Sequence, residues 1–368
     1  MSRFVRLGLP VVAVLLALVF SGVVATVVLL FTGDDVAGFW RVMLTWPSQR
    51  DLVDILNMTA ILYLSGAAAA IGFRMNLFNI GVEGQYRIAG LFAGAFAGLG
   101  LLPGKLNVLA AILVAMAVGA LWAGIAGALR VWRGVSEVIS TIMLNAIAGS
   151  LIGYLLVKWG VSTGNARNTK LMPEDTWVGS WRIFPDVTGG VYLLAILAPL
   201  VGIVFFVLVY YTRFGFDLRA AGASESAAVS SGVSVKKMVF ISMLLSGAVA
   251  GLIGLPMMFS DSHQYGSAFQ TGLGFTGIAV ALLGRNHPVG IAFGALIFAF
   301  LGQQANLLNI LAGVSPDIVG MTQGIIVLAV VIAFEVIRRF ANRIEQRQVA
   351  AQLAAERTNG SDAQEVSA

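Results

Sequence analysis

The chain has 368 residues, of which 58% are hydrophobic and only 11% charged, with a mean hydropathy of +0.89 and a formal charge of +5. Soluble domains carry about a quarter of their residues charged, so a soluble enzyme or nucleic-acid-binding module is excluded; the positive residues fall at helix ends and in loops, where they orient membrane spans. With no cysteine, disulfides, thiolate metal sites and cysteine nucleophiles are excluded too.

Apolar segments of about twenty residues recur along the chain, the length needed to cross a hydrocarbon core about 30 Å thick. The expected fold class is an all-α polytopic membrane protein, and its 43 glycines suit helices that pack through small residues. The run from Leu7 to Phe31 is too long for a signal-peptide core and reads as an uncleaved first span, with Arg3 and Arg6 keeping the N-terminus cytoplasmic. Ten spans are predicted in chain order, at 8–31, 52–73, 77–103, 106–129, 136–157, 191–211, 238–260, 271–284, 288–309 and 318–340. Both termini are then cytoplasmic, with 15 Lys and Arg inside and 7 outside, and Arg87 within a span. The eighth span is short and contains GLGFTG, which predicts a broken or partly re-entrant helix. Residues 1–340 are expected to form one transmembrane domain, followed by a charged cytoplasmic tail at 341–368 whose last ten residues are disordered.

Two loops stand out. Residues 158–190 are polar, contain three tryptophans and are expected outside, where the indoles are interfacial anchors or contacts for a partner protein. Residues 212–237 are expected on the cytoplasmic side and hold a short Ala/Ser-rich helical run bounded by Gly222 and Gly232.

An internal repeat is visible. LSGAAAAIGF at 64–73 resembles LSGAVAGLIG at 245–254, and glycine pairs follow at Gly81 and Gly84 and at Gly274 and Gly277. In the orientation above the two copies run in opposite directions. Inverted repeats of that kind in transporters place the substrate near the midplane, at Gly-interrupted segments.

The segment NLFNIGVEGQYRIAG, 76–90, is polar where its neighbours are apolar. Non-helical backbone at membrane depth is tolerated only where it is buried in protein or lines a water-filled cavity. Two readings stay open. Asn79, Glu83 and Gln85 face a pathway for a polar solute, or Arg74 and Asn76 mark a cytoplasmic turn and Glu83 pairs with Arg87 one helical turn on. Ser136 and Glu137 read as the N-cap and first turn of a span, while Asn145, deeper in that span, needs a neighbouring helix or an aqueous pathway. Gln270 is a further amide of this kind.

Gly272-x-Gly274-x-x-Gly277 lacks the preceding strand of a dinucleotide site, and no P-loop is present, since Gly104-Lys105 is followed by Leu106. No ATP hydrolysis, cofactor or nucleophile–base chemistry is expected. His263 and His287 have no carboxylate cluster beside them in the sequence, so no metal is expected either.

Four ordered stretches, NLFNIGVEGQ, SEVISTIMLN, TRFGFDLRAAG followed by AAVSSGV, and GFTGIAVALLGRNHPVGI, resemble the permease subunits of bacterial ABC importers for nucleosides and simple sugars, within the branched-chain amino acid/ribose-type permease superfamily. The resemblance spans about residues 50–335. The family often has Asn where Ser136 stands and Asn-Pro where Ser224-Glu225 stand. FNIGVEGQ, rather than a GIDLSVG-type turn, is similar to the nucleoside branch. The resemblance implies an inner-membrane importer with two permease subunits, homodimeric or heterodimeric, two cytoplasmic ATPase domains and an extracytoplasmic substrate-binding protein. Residues 212–237 would be the coupling segment, with Gly222, Ala223, Glu225, Ala227, Ala228 and Gly232 at the ATPase contact. Asn79, Glu83, Gln85, Asn145 and Gln270 would line the path of a neutral solute. Ribose or another simple sugar is the alternative cargo. A stand-alone secondary transporter would need a titratable relay, for which the sequence offers only Glu83 and Asp54, and the polar residues at depth argue against a purely structural scaffold.

Overall fold

The computed structural model describes residues 3–329, apart from 164, 165, 267, 268, 314 and 316, together with positions 332 and 336. The expected tail at 341–368 and the end of the tenth expected span lie outside the described residues.

The chain opens with α1 (Arg3–Thr32) and a short helix α2 (Val36–Leu44), whose N-terminus is capped by Asp35 through a 2.9 Å bond from the Gly38 amide. A Ser48–Asp51 capping box starts α3 (Gln49–Arg74), the central helix of the bundle, buried along most of its length. Then come α4 (Val82–Leu99), α5 (Gly104–Arg133) and α6 (Glu137–Trp159). The loop expected at 158–190, with the first two residues of the span expected after it, contains two small antiparallel hairpins: β1 (Val161–Thr163) pairs with β2 (Ala166–Asn168), and β3 (Ser180–Trp181) with β4 (Val191–Tyr192). A 3₁₀ turn at Leu193–Ile196 leads into α7 (Leu197–Tyr211). The 212–237 segment forms α8 (Arg213–Ala223) and α9 (Glu225–Ser230), two short helices separated by Ser224, which caps the second.

The second half follows with α10 (Val235–Ala250), α11 (Leu255–Met257) running into a π turn at Met258–Ser262, α12 (Leu273–Leu283), α13 (Pro288–Ala312) and α14 (Asp317–Ala329). Among the described residues, six helical segments are long and apolar enough to cross a membrane. Three expected spans are corrected. The third begins at Val82 rather than at 77, because Asn76 is left-handed (φ 59°) and residues 77–81 are non-helical. The sixth starts with a strand and a 3₁₀ turn. The seventh breaks at residues 251–254 before Pro256, which cannot donate the helical N–H. The eighth is short, as predicted, with only 11 helical residues.

The repeat has a physical counterpart. Ser65 of α3 donates to the Leu273 carbonyl at the start of α12 (2.8 Å). Its counterpart Ser246 of α10 accepts from Asn79 Nδ2 just before α4 (2.8 Å) and donates to the Ala68 carbonyl (2.6 Å). Each LSG serine therefore holds the interrupted helix of the opposite half. The following glycines let backbones meet: a Cβ on Gly247 would strike the Gly119 carbonyl of α5, and one on Gly66 would meet Val280 and Ile291. In lipid, where apolar burial does not drive helices together, such close packing does.

Candidate functional site

Two polar features stand out in the bundle: a junction between the broken helices, and a cup beside it.

The junction gathers most of the polar residues singled out in the sequence. Asn79 and Gln85 are fully buried and exchange two amide bonds (3.0 and 2.9 Å), while Asn79 Oδ1 also accepts from the Gly81 amide at 3.0 Å. Gly81, at the N-cap of α4, has no side chain to satisfy that helix's orphan N–H groups. Asn145 of α6 supplies the partner, accepting from the Gly84 amide (2.9 Å) and donating to the Ile80 carbonyl (3.0 Å). Of the two readings open for Asn145, the structure gives the neighbouring helix.

Glu83 does the same for α12. Only 4% exposed, it accepts from the Gly272 amide through Oε1 (2.9 Å) and from the Gly274 amide through Oε2 (3.0 Å), rather than pairing with Arg87. It also stands in the first turn of α4. One carboxylate thus faces the positive ends of two helices, and that satisfies a buried charge without a cation. The Tyr86 hydroxyl donates to the Gln270 carbonyl at 2.7 Å and lies 3.3 Å from Glu83 Oε1, which links the junction to the cup. Ser136 makes no side-chain cap; Glu137 in the first turn of α6 instead pairs with Arg130 at 3.4 Å.

The cup has a volume of about 460 Å³ and lies between α3, α12, α13 and α14. Met58, Ile61, Leu62, Leu273 and Phe298 form apolar wall, and Asp54, Asn57, Gln270, Gln303, Asn306 and Gln323 supply polar groups. Some of these are committed. Asn57 bonds the Gly190 carbonyl (3.1 Å) and the Tyr192 amide (2.9 Å), and Gln303 bonds Asp51 at 2.8 Å. The side chains of Asp54, Gln270 and Asn306 make no hydrogen bond to protein among the described residues, and Asp54 is the one charged group lining the cup there.

Of the five residues predicted for a pathway, the structure brings Gln270 to the cup and places Asn79, Glu83, Gln85 and Asn145 in the junction. The other polar cup residues went unnoticed as a set. They are spread over α3, α13 and α14, and only the i, i+3 spacing of Asp54 with Asn57 and of Gln303 with Asn306 hinted at shared faces.

The 212–237 segment shows two faces. Ala228 is 2% exposed and packs with Met75, Leu144 and Val239, and a Cβ on Gly222 would strike the Arg74 carbonyl. Ala223, Glu225, Ala227 and Gly232 are exposed, and Gly232 has a φ of 81° that suits glycine. Gly222 and Ala228 hold the segment on the bundle; the other four lie on its outer surface. Among the described residues, no cluster of three His, Asp or Glu side chains could hold a metal.

A helical bundle with broken helices and a polar cup lined by amides and one carboxylate fits a multi-pass membrane permease. The chain belongs to the family described as the branched-chain amino acid transport system / permease component, whose profile matches residues 51–332. It is 33% identical to the guanosine ABC transporter permease protein NupP of Bacillus subtilis, over 91% of this chain and 96% of that one. The glucose ABC transporter permease protein TsgB13 of Haloferax volcanii is also 33% identical, over 87% and 86% of the two chains. The nucleoside ABC transporter permease protein NupB of Lactococcus lactis is 30% identical, over 87% and 90%.

Proposed function

We propose that the chain is the membrane-spanning subunit of an ATP-driven importer of nucleosides, and that the cup admits the cargo. The observation that carries this reading is the cup itself, in which Gln270 and Asn306 offer amides and Asp54 a carboxylate free of protein hydrogen bonds among the described residues, beside an apolar wall. A nucleoside is neutral, presents ribose hydroxyls and base edges to such groups, and has a flat apolar face. Two of the similar permeases carry guanosine or nucleoside in their names.

Under the positive-inside rule the Gln49 end of α3 lies outside and the Arg74 end lies in the cytoplasm, as do both termini. The cup then opens outward, where an extracytoplasmic binding protein delivers cargo, and α8–α9 faces a cytoplasmic ABC ATPase. A second permease subunit completes the path in the bacterial inner membrane. The chain has no ATPase motif of its own.

A strain lacking the chain should lose uptake of labelled guanosine and uridine and regain it on complementation. Uptake should stop on ATP depletion with the proton gradient clamped. Persistence of uptake under those conditions would overturn the ATP-driven reading. The second reading, a simple sugar, is favoured by the similarity to TsgB13; strong competition of uridine uptake by glucose or ribose would replace the first reading with it. A proton-coupled carrier has less support, because the buried Glu83 carboxylate is held by the Gly272 and Gly274 amides.

A further inference from the structure

At the end of the bundle opposite the cup, three elements converge on one tyrosine of α7. Arg74, the last residue of α3, donates to the Asn286 carbonyl through both Nε (3.0 Å) and Nη2 (2.8 Å). Its Nη2 also donates to the Tyr210 hydroxyl of α7 at 2.6 Å. Arg219 of α8 places its guanidinium 5.5 Å from the centre of the same ring, and the His287 ring lies 5.8 Å from it. The end of α8 rests directly on α3, since a Cβ on Gly222 would strike the Arg74 carbonyl.

The turn that Arg74 grips is strained. Arg285 and Asn286, between α12 and α13, are consecutive non-glycine residues in the left-handed region (φ 54° and 55°), which is unfavourable for a residue such as Arg285 with a full side chain. The Asn286 side-chain oxygen is buried without a hydrogen bond. A turn of this kind persists because its surroundings over-determine it, and the two donors to the Asn286 carbonyl come from another helix. Sequence position offers no hint of this, since Arg74 and Asn286 are 212 residues apart. The helices that leave the grip, α3, α12 and α13, are also the helices that wall the cup.

We infer that Arg74, clamped between Tyr210 and the Arg285–Asn286 turn, is the joint that passes displacement of α8–α9 to the α12–α13 wall of the cup. The inference rests on reading α8–α9 as the ATPase contact. Arg74 is a positioning residue here and touches no cargo. If α8 shifts, Gly222 pushes on the Arg74 backbone and Arg219 on the Tyr210 ring; the guanidinium then either holds the strained turn or releases it. That is a discrete alternative, as a two-state coupling element requires.

The chain contains no cysteine, so spin labels can be attached at chosen exposed positions. One pair, Val135 with Ser226, reports movement of α9; a second pair, Leu101 with Ile310, reports the far end of α13. Distances are measured by pulsed electron resonance in the assembled complex with its co-purifying ATPase, with and without non-hydrolysable ATP. In the parent protein both distances should change on adding nucleotide. In Arg74→Gln the Val135–Ser226 distance should still change while Leu101–Ile310 stays fixed, and uridine taken up per ATP hydrolysed should fall about tenfold, within the usual range of coupling between sites. Arg74→Lys, which keeps the charge and loses the fork, should behave like Arg74→Gln. Tyr210→Phe removes only the hydroxyl; it should reduce the second change, and it carries the test if the Arg74 variants fail to fold. Full nucleotide-driven movement at Leu101–Ile310 in these variants would overturn the inference. If Val135–Ser226 never responds in the parent protein, the ATPase-contact reading itself fails, and the inference goes with it.

Discussion

The Glu83 carboxylate and the Gly274 amide are 3.0 Å apart, so a residue of the first half caps a helix of the second. This one bond, with its twin to Gly272, explains how an acidic residue is accommodated in the junction without an ion pair to Arg87. Charge-assisted hydrogen bonds contribute about 1.5–3 kcal/mol each, and the loss of an acceptor leaves orphan N–H groups in a dry junction. Glu83→Ala should therefore destabilise the protein by about 3–5 kcal/mol, and Glu83→Gln, which keeps one acceptor and points an NH₂ at the other amide, by about half as much. Thermal unfolding in detergent reads both. A direct cargo contact would instead give a normally stable Glu83→Gln variant with a raised KM.

The crossing of α5 and α10 depends on glycine at Gly119 and Gly247, where each Cβ would strike the other residue's carbonyl. Gly247→Ala should lower the unfolding midpoint in detergent by several degrees, because overpacking of a tight contact costs about 1–3 kcal/mol. Gly153→Ala in α6, where a Cβ meets nothing within 4 Å, should leave the midpoint unchanged. Equal effects of the two substitutions would show that small-residue packing is not what joins these helices.

Much of this architecture was legible in the sequence. Hydropathy marked the segments, the LSG repeat marked the two halves, and the glycines before Val82 and Leu273 marked the broken helices. What could not be read was the partner of each polar group. Glu83 had Arg87 one turn away and Gly272 189 residues away, and the distant amide prevails because two orphan N–H groups at a helix start outweigh one partly solvated cation. Likewise, Asp54, Asn306 and Gln323 belong to three segments, and only tertiary packing brings them to one cup.

On the proposed coupling surface, the two adjacent alanines should separate docking from packing. Ala227 is exposed and Ala228 is 2% exposed among Met75, Leu144 and Val239. Ala227→Arg should leave the unfolding midpoint unchanged and abolish cargo-stimulated ATP hydrolysis in the assembled complex. Ala228→Leu should lower the midpoint, since overpacking costs about 1–3 kcal/mol, and should lose activity through displacement of α9. Normal coupling in Ala227→Arg would place the ATPase contact elsewhere.

Within the cup, Asp54 is the acceptor best suited to a sugar diol. Asp54→Asn keeps the shape and replaces half of the accepting capacity with a donor, so uridine uptake should show a raised KM, by about 5- to 20-fold for a lost charge-assisted bond. The same substitution should leave unfolding unchanged, because Asp54 bonds nothing else in the protein among the described residues. An unchanged KM for uridine would remove Asp54 from the path of the cargo.

The Trp177 and His263 rings stack at 3.9 Å and 4°, and the loop carrying Trp177 is tied to the end of the broken α10–α11 segment by bonds from the Met172 amide to the His263 carbonyl and from the Val178 amide to the Phe259 carbonyl, each 3.0 Å. Burial holds the His263 imidazole below its ordinary range, with the Phe259 carbonyl and Asp261 opposing that shift. A histidine with a lowered folded-state pKa binds fewer protons folded than unfolded, so its contribution is complete above the unfolded value of about 6.5 and is lost as pH falls from there through the lower folded value. Acidification from about pH 7.5 to 5.5 should therefore loosen this loop while the buried junction stays intact. After correction for the intrinsic pH dependence of exchange, hydrogen exchange at the Met172 and Val178 amides should speed up about two- to threefold, a modest factor because the partly exposed ring is screened by solvent. His263→Gln should remove that pH dependence; if the loop loosens equally in the variant, another group is responsible.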